Sequence, residues 1–332
     1  MVKKREKSCL RVAIIGNTSW GNTLGALLSN KGATVKLWTR SEVEAKELNR
    51  GRRGYSSTSH MEEALSEAGL VIWAVPSQKL RQNVGQAKDY LTSSMLLMSA
   101  AKGLEVDSGK RMSQVLAEGI APSLRGQICV LSGPNLAGEI AQGLPAVSVI
   151  AAQDIALAER AKEVMESPKF VLYTSDDVIG VELGGALKNI IALGAGMIDG
   201  LGLGDNAKGA FIAWGWGEVV SLGVTLGARA DTFYGLAGLG DLITTCASTL
   251  SRNHYVGYQL AKGRSLSEIS ASMTHVAEGV ATTVAVYQLS KNQGLKLPII
   301  NLIYGILFES LPPSRVLSKF KGLVASQRCS LD

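Results

Sequence analysis

Short apolar runs alternate with amphipathic stretches through the first half of the chain. Two stretches have helical spacing, Ser19–Lys31 and Met61–Ala68. The apolar runs are four to six residues long, the pattern of buried strands. They are Leu10–Ile15, Thr34–Trp38, Leu70–Val75, Met95–Ser99, Ile128–Leu131, Ala146–Ala151 and Phe170–Thr174. Strands that alternate with helices predict a parallel, doubly wound sheet with helices on both faces.

The pattern changes near residue 175, where the strand-like runs stop. Thr174-Ser175-Asp176-Asp177 is typical of a helix start, with a threonine cap and an acid three residues later. Six helical stretches then follow: Val181–Met197, Ala207–Leu226, Ser251–Lys262, Ser267–Ala271, Gly279–Lys291 and Leu297–Phe308. We therefore predict two domains, an α/β domain over residues 9–177 and an all-helical domain over residues 178–325.

Composition and charge narrow the class of protein. The 332 residues are 46% hydrophobic and 19% charged, which excludes a disordered chain and a coiled coil. The net charge of +6 is dispersed and aromatic residues make up only 5%, so a nucleic-acid partner is not expected. A mildly basic balance instead suits an anionic small molecule such as a phosphate.

No segment predicts export, a membrane span or a metal site. Residues 1–7 are basic but lead into no signal-peptide core, and the uncharged run Val12–Asn30 contains several polar residues and glycines. The four cysteines are far apart and form no C-x-x-C pair: Cys9, Cys129, Cys246 and Cys329. We expect a cytoplasmic protein with buried or unreactive thiols and no metal.

The first strand ends in a turn that leads directly into a helix. The turn reads Gly16-Asn17-Thr18-Ser19-Trp20-Gly21, at the position of the dinucleotide fingerprint of a Rossmann-like domain. Gly16 permits the turn, and Gly21 permits close packing of helix against strand. Thr18 replaces the middle glycine; it adds bulk where a diphosphate lies close, and its hydroxyl could donate a hydrogen bond to that group. This context predicts that the turn binds a dinucleotide.

The second strand ends in Trp38-Thr39-Arg40. An enzyme specific for NAD usually places an acidic residue here, which binds the ribose 2′-hydroxyl. An arginine instead suits the 2′-phosphate of NADP, through charge-assisted hydrogen bonds. We therefore expect NADP(H), with NAD(H) also accepted. A solvated surface arginine is the alternative interpretation of Arg40.

Two further strand ends carry polar residues. Lys102 follows the strand that ends at Ser99, and Ser132–Ala137 follows the next strand. In a doubly wound sheet the carboxyl ends of the strands face the ligand crevice, which makes Lys102 a candidate ligand contact. A surface lysine, and ordinary turn chemistry at Gly133 and Pro134, are the alternatives.

One lysine lies in an otherwise apolar helical stretch, VELGGALKNIIA at 181–192. Gly184, Lys188, Ala192 and Ala195 share a helix face, where small neighbours leave room beside the lysine. Burial in such surroundings should lower the pKa of Lys188, which suits a proton donor or acceptor at a carbonyl centre. The alternative is a lysine whose side chain extends along the helix to reach solvent.

Two later segments present charge beside glycines or a helix start. Gly235–Asp241 is a glycine-dense turn that presents the carboxylate of Asp241. Ser251-Arg252-Asn253 opens a helix, so backbone N–H groups, the helix dipole and an arginine converge there. This combination predicts an anion site, and the alternative is a plain capped helix with a surface arginine.

Together these motifs resemble the bacterial type of NAD(P)-dependent glycerol-3-phosphate dehydrogenase. The resemblance runs from about Arg11 to Phe308 with the spacing intact. Its most specific segments are VELGGALKN at 181–189, GLGLGDNAK at 200–208, GLAGLGDL at 235–242 and LSRN at 250–253, with SGPNLAGE at 132–139 and VAEGV at 276–280 in addition. It implies reduction of dihydroxyacetone phosphate to sn-glycerol 3-phosphate by NAD(P)H, with the Rossmann-like and helical domains predicted above.

The resemblance also implies roles for individual residues. Lys188 matches the proton donor, and Lys102 and Asp241 match residues of the catalytic centre. The residues that match substrate positions are Lys102, Gly133, Asn135, Lys188, Asp241, Ser251, Arg252 and Asn253. The residues that match cofactor positions are Gly16, Ser19, Trp20, Gly21, Arg40, Lys102, Ala137, Arg252, Val276 and Glu278. Asn135 replaces a usual Ser or Thr and Leu136 a usual Phe, changes that affect local geometry more than the reaction.

The family further implies a homodimer that supplies the glycerol backbone of phospholipids. Two other functions stay open from the residues alone. One is a different two-domain NADP-linked dehydrogenase that acts on a carboxylate substrate, which Arg252 would also bind. The other is a non-catalytic sensor of NADP(H), suggested by the altered turn at Thr18. Lys188, Lys102 and Asp241 argue against a sensor, because binding alone needs no proton donor.

Overall fold

The structure of the protein is a computed structural model that describes residues 10–51 and 53–316. The chain forms two compact units. The first contains the residues up to Lys102 together with Lys110–Glu182. The second contains Gly103–Gly109 and the residues from Leu183 onward. Two domains were predicted, over residues 9–177 and 178–325. Their bounds and their separate functions stay predictions.

The first unit contains an eight-stranded sheet in the order β3-β2-β1-β4-β5-β6-β7-β8. Its strands are β1 Arg11–Ile15, β2 Thr34–Trp38, β3 Ser56–Thr58, β4 Leu70–Trp73, β5 Leu96–Ser99, β6 Ile128–Ser132, β7 Ala146–Ala151 and β8 Phe170–Ser175. All neighbouring strands are parallel except β6 and β7, which are antiparallel. The doubly wound α/β fold is confirmed, with the last two strands, β7 and β8, running opposite to the other six. One short strand, β3, was not predicted by the apolar pattern.

Helices alternate with the strands and then replace them. Those of the first part are α1 Ser19–Asn30, α2 Glu42–Arg50, α3 Met61–Leu65, α4 Leu80–Ala87, α5 Met112–Gly119, α6 Ala137–Ala141 and α7 Ile155–Met165. They are followed by α8 Val178–Gly200, α9 Gly204–Thr225, α10 Ala230–Tyr234, α11 Asp241–Ala247, α12 Arg252–Ala261, α13 Leu266–Ser272, α14 Glu278–Gln293 and α15 Pro298–Phe308. The predicted helical character of the second part is confirmed.

The sheet is buried on both faces because its strands are apolar at successive positions. Val12 and Ile14 of β1 pack into one apolar cluster, and Ala13 and Ile15 pack into the other. Side chains of a strand alternate between faces, so a run without polar residues requires a layer of helices on each side. Because β1, β4, β5 and β6 are parallel neighbours, their carboxyl ends meet at one edge of the sheet.

The start of α8 differs from its prediction. Thr174 lies within β8, and its hydroxyl donates to Glu159 at 2.6 Å. Asp177 caps the helix instead, because its Oδ1 accepts the N–H of Gly180 at 2.9 Å. The expected threonine cap is therefore wrong by three residues, since pairing with β7 continues through Ser175.

Helix α8 is long and apolar enough to cross a membrane by length and composition. However, 89% of its most apolar window is buried inside the protein, which is the environment of a core helix.

Among the described residues, Cys129 and Cys246 are buried free thiols, and burial raises the pKa of each to about 12. Cys9 and Cys329 lie outside the described residues.

Candidate active site

The turn after β1 has the geometry of a phosphate-binding loop. Gly16 has a φ of +122°, and a Cβ there would lie 2.9 Å from the carbonyl oxygen of Ala74. A Cβ on Gly21 would lie 2.3 Å from the carbonyl oxygen of Gly16. Since only glycine fits both positions, the predicted tight turn and close packing of helix against strand are confirmed.

Thr18 uses its hydroxyl within the protein. Its Oγ1 donates to the carbonyl oxygen of Ala74 at 2.7 Å and accepts the N–H of Gly21 at 3.0 Å. The expectation that this hydroxyl could donate to a diphosphate is therefore wrong, because the carbonyl of Ala74 takes its proton. Thr18 acts as the N-cap of α1 instead.

Three other cofactor candidates surround this loop in the first unit. Ser19 is exposed at the first position of α1. The indole of Trp20 packs edge-on against Phe170, with ring centroids 6.4 Å apart, so Trp20 presents its backbone rather than its ring at the helix start. Ala137 begins α6, and its carbonyl oxygen accepts a hydrogen bond from Thr23 Oγ1 at 3.2 Å.

Arg40 follows the carboxyl end of β2 and is exposed over 83% of its side chain. Its guanidinium lies 3.3 Å from Glu44, one turn into α2. Exposed ion pairs of this kind contribute about 0.2–1 kcal/mol, so the pair does not fix the arginine. Arg40 is therefore an accessible cation at the strand end where the sequence places the ribose.

Lys102, Gly133 and Asn135 lie together at the carboxyl ends of β5 and β6. Lys102 Nζ donates to the carbonyl oxygen of Gly133 at 2.6 Å, so this half-buried lysine is not a solvated surface residue. Gly133 has a φ of +144°, and a Cβ there would lie 2.9 Å from the Cα of Ser148. Asn135 Oδ1 accepts a hydrogen bond from the Ser148 hydroxyl. The structure thus brings together three residues that the sequence predicted separately.

In the second unit, Lys188 forms a buried ion pair. Its Nζ donates to Asp241 Oδ1 at 2.6 Å, and the two side chains are 8% and 2% exposed. Lys188 Nζ also donates to the hydroxyl of Thr245, one turn further along α11. The alternative of a lysine that reaches solvent is therefore wrong. A buried ammonium next to a carboxylate keeps its proton more readily than an isolated buried lysine would.

Glycines bring the two halves of this pair together. A Cβ on Gly184 would lie 2.9 Å from the carbonyl oxygen of Ala237, so α8 approaches the backbone of the glycine-rich segment directly. That segment, Leu236–Gly240, is a π-helix rather than the predicted turn, and it continues into α11 at Asp241. The room beside Lys188 that its small neighbours leave is thus occupied by the segment that carries its carboxylate partner.

The helix that was predicted to open at Ser251 is α12, and Ser251 is its N-cap. Ser251 Oγ accepts the N–H of His254 at 3.2 Å, while Arg252 is exposed at the first helical position. Desolvation by the surrounding protein lowers the pKa of Arg252, and the carboxylate of Glu278 opposes this shift. The arginine remains a cation at physiological pH, because a guanidinium stays protonated in proteins. Val276, which precedes α14, is 53% exposed.

Asn253 links α12 to two other helices of the second unit. Its Nδ2 donates to Asn189 Oδ1 at 2.8 Å, and its Oδ1 accepts the N–H of Gly279 at 2.9 Å. A Cβ on Gly279 would lie 2.6 Å from the carbonyl oxygen of Asn189. The candidate substrate residue Asn253 is therefore buried and held from both sides of its amide.

A second charged cluster lies beside the start of α12. His254 Nε2 lies 2.7 Å from Asp199 Oδ2 near the end of α8, and Lys208 Nζ lies 3.0 Å from the same carboxylate. Burial by itself would lower the pKa of Lys208, yet its interactions with Asp199 and Asp205 raise it. Asp199 of α8 thus contacts both α12, the candidate phosphate-binding helix, and α9.

Known proteins match this chain over both units. Residues 11–158 match the family described as NAD-dependent glycerol-3-phosphate dehydrogenase N-terminus, and residues 177–318 match the corresponding C-terminus. The chain belongs to this family. It is 50% identical over 330 residues to a glycerol-3-phosphate dehydrogenase [NAD(P)+] of Dehalococcoides mccartyi (strain ATCC BAA-2266 / KCTC 15142 / 195), covering 96% of this chain and 91% of the relative.

More distant members of the glycerol-3-phosphate dehydrogenase family are also similar to this chain, in sequence and in fold. A glycerol-3-phosphate dehydrogenase [NAD(P)+] of Chlorobium limicola is 42% identical over 315 residues, covering 91% of this chain and 95% of the relative. The crystal structure of glycerol-3-phosphate dehydrogenase from Coxiella burnetii superposes with a TM-score of 0.87 at 30% identity. It covers 94% of this chain and 98% of that one. The predicted resemblance is confirmed.

Two residues of this dehydrogenase cluster were missed by the sequence analysis. Thr245 contacts Lys188, and its position one helical turn after Asp241 would have indicated it once the segment was known to be a helix. Asn189 follows Lys188 in the chain and binds Asn253, a contact across 64 residues that no local pattern reveals. Within residues 10–51 and 53–316, three or more His, Cys, Asp or Glu residues are nowhere grouped to hold a metal ion.

Proposed function

We propose that the chain reduces dihydroxyacetone phosphate to sn-glycerol 3-phosphate with NAD(P)H. The reaction adds a hydride to the carbonyl carbon and a proton to the carbonyl oxygen. The buried Lys188–Asp241 pair supports this function, because it holds an ammonium group in a desolvated environment where a proton donor is needed.

The first unit offers a site that fits a dinucleotide. Gly16 and Gly21 permit the tight turn from β1 into the start of α1. Three buried polar atoms at the ends of β5 and β6 have no hydrogen-bond partner in the described chain: Ser99 Oγ, Ser132 Oγ and Asn135 Nδ2. When bound, NAD(P)H supplies the hydride. The residues that would hold it are Gly16, Ser19, Trp20, Gly21, Arg40, Lys102 and Ala137 of the first unit, and Arg252, Val276 and Glu278 of the second.

Lys188 is the proton donor in this proposal. As hydride adds to the carbonyl carbon, negative charge grows on the oxygen, and the ammonium stabilises that charge before it gives up a proton. Asp241 favours the charged form of Lys188 between turnovers, and Thr245 limits the directions in which the ammonium can point. Lys102 supplies a second cation for the substrate.

The phosphate is bound by the first turn of α12. Ser251, Arg252 and Asn253 combine a helix N-terminus with a guanidinium, and both favour a doubly charged anion. Binding energy at the phosphate, which lies away from the reacting carbon, positions the carbonyl for reaction. Gly133 and Asn135 complete the proposed set of substrate residues.

The proposal also covers the roles of the two domains, the oligomeric state and the cellular location. Residues 9–177 bind the dinucleotide and residues 178–325 bind substrate and carry the proton donor. The enzyme acts in the cytoplasm as a homodimer and supplies the glycerol backbone of phospholipids. Membership of the glycerol-3-phosphate dehydrogenase family supports these statements.

An assay of NADPH oxidation with a panel of substrates tests the function. We expect rapid turnover of dihydroxyacetone phosphate and slow turnover of dihydroxyacetone and of 2-keto acids. Preference for a keto acid would instead establish a dehydrogenase of carboxylate substrates. NADPH binding in calorimetry without turnover of any substrate would establish a sensor and contradict the role of Lys188.

A further inference from the structure

Thr18 occupies the loop position at which the dinucleotide fingerprint has its second glycine. A side chain there can either point toward the diphosphate and obstruct it, or point into the protein. The backbone of Thr18 is extended, with φ −117° and ψ 164°, a conformation that any residue adopts. The backbone of Thr18 is therefore unstrained, and the effect of the residue depends on what its hydroxyl binds.

The hydroxyl of Thr18 joins the start of α1 to the segment after β4. It donates to the carbonyl oxygen of Ala74 at 2.7 Å and accepts the N–H of Gly21 at 3.0 Å. Ala74 is 56 residues away in the chain, and its own N–H donates to Ile15 at the end of β1. A single side chain thus closes a ring of hydrogen bonds around the loop, which a glycine cannot do.

A second residue fixes the same loop through the backbone of Thr18. Asn22 Nδ2 donates to the carbonyl oxygen of Thr18 and to Asn17 Oδ1, both at 2.8 Å. Asn22 Oδ1 in turn accepts the hydroxyl of Tyr55 at 2.6 Å, which holds the amide in this orientation. Side chains therefore bind both the hydroxyl and the carbonyl of Thr18.

We propose that Thr18 is a positioning residue of the cofactor site, whose hydroxyl holds the loop in the shape that the diphosphate of NAD(P)(H) requires. The inference rests on the proposed function only in that the loop receives a dinucleotide. Ordering a flexible loop costs conformational entropy when a ligand binds, and a loop that is already ordered avoids that cost. The threonine thus favours binding, although a larger side chain at this position would be expected to obstruct it.

Three variants separate these effects by their dissociation constants for NADPH, measured by calorimetry. Thr18→Ser keeps the hydroxyl, and we expect affinity within about 2-fold of the wild type. Thr18→Val keeps the shape but loses both hydrogen bonds, and we expect about 10-fold weaker binding, because the loop loses both the cap of α1 and its link to Ala74. Thr18→Gly restores the usual fingerprint residue, and we expect about 3-fold weaker binding because the loop becomes flexible.

Hydrogen exchange in the cofactor-free protein gives a second, independent measurement. The peptide that contains residues 16–22 should exchange faster in Thr18→Val and Thr18→Gly, and at the wild-type rate in Thr18→Ser. Thr225→Val is the matched control, because the Thr225 hydroxyl donates to Ser221 within its own helix α9. The control should change neither NADPH affinity nor exchange in the loop. The kcat at saturating NADPH should stay within about 2-fold, because Thr18 carries no part of the proton transfer.

Tighter binding by Thr18→Gly would show that the threonine obstructs the cofactor and would overturn the proposal. Equal affinity of the wild type and Thr18→Val would overturn it too. If Thr18→Val does not fold, the comparison of Thr18→Ser with Thr18→Gly decides, and equal loss in both contradicts a role for the hydroxyl. A wild-type protein that binds no NADPH contradicts the proposed function itself, which none of the other outcomes does.

Discussion

The loop after β1 depends mainly on backbone geometry, whereas the Lys188–Asp241 pair depends on buried side chains. The loop owes its shape to glycine backbone and to hydrogen bonds of its own side chains, and Arg40, the candidate ribose contact after β2, is exposed. The Lys188 cluster consists of buried side chains held by contacts between helices. The loop is therefore defined by its backbone geometry, and the Lys188 cluster by a charge kept away from water.

This contrast gives different expectations for substitution. At the loop, a changed side chain should alter affinity by modest factors, because binding is shared among several backbone groups. At the buried pair, removal of one partner leaves an uncompensated charge, which costs about 3–5 kcal/mol in proteins generally. The four predictions below test the contrast from its strongest point to its weakest.

Lys188→Ala should have the largest effect. Loss of the proton donor should lower kcat about 10²–10⁴-fold. The dissociation constant for NADPH should change little, because the proposed loop lies in the other unit. Steady-state kinetics and calorimetry provide the two measurements. Lys262→Ala, at an exposed lysine that follows α12, is the control and should be active. Turnover of Lys188→Ala at the wild-type rate would sink the assignment.

Arg252→Ala should mainly affect the phosphate. We expect kcat/KM for dihydroxyacetone phosphate to fall about 10–100-fold, largely through KM, because a charged hydrogen-bond partner is lost. Dihydroxyacetone lacks the phosphate, so wild type and variant should use it almost equally poorly. Equal losses on both substrates would mean that Arg252 acts on structure or on the cofactor instead.

Arg40→Asp should reverse the preference between the two cofactors. A carboxylate in place of the guanidinium repels the 2′-phosphate of NADPH and can accept the ribose hydroxyl of NADH. We expect the ratio of kcat/KM for NADPH to that for NADH to fall about 10-fold or more. An unchanged ratio would show that Arg40 does not contact the ribose.

Glu44→Gln should have the smallest effect. Glu44 pairs with Arg40 and places a negative charge near the site proposed for the 2′-phosphate. Its neutralisation should strengthen NADPH binding about 2-fold, the size of an exposed ion pair, and leave NADH binding unchanged. Equal changes for both cofactors would place the effect outside the 2′-phosphate. Glu47→Gln, at another exposed residue of α2, is the matched control.

Periodicity predicted seven of the eight strands and the helices α1, α3, α8, α9 and α12–α15, because their apolar pattern can be read locally. It did not predict α2, α4–α7, α10 and α11. It missed β3, whose residues Ser56–Thr58 carry no apolar run and which pairs only at the sheet edge. It also missed the reversed direction of β7 and β8, since an apolar strand has the same pattern in either direction. The cap of α8 was misplaced because β8 extends to Ser175 and leaves Asp177 as the first available acceptor.

The sequence indicated which residues carry the chemistry but not which of them touch. Lys188 and Asp241 were both predicted, yet their contact joins positions 53 residues apart. The alternative of a lysine that reaches solvent followed from considering α8 without its neighbours. The link from His254 to Asp199 likewise depends on how α8 and α12 pack.

Two glycines set the spacing between α12 and α8, the helix that carries Lys188. A Cβ on Gly257 would lie 1.8 Å from the carbonyl oxygen of Leu193, and one on Gly196 would lie 2.0 Å from that of His254. With no side chain between them, α12 is registered on the backbone of the same helix that carries Lys188. Gly196 follows Lys188 by eight residues, about 12 Å along the helix axis. The distance along α8 between Lys188 and the contact with α12 is therefore set by backbone packing rather than by adjustable side chains.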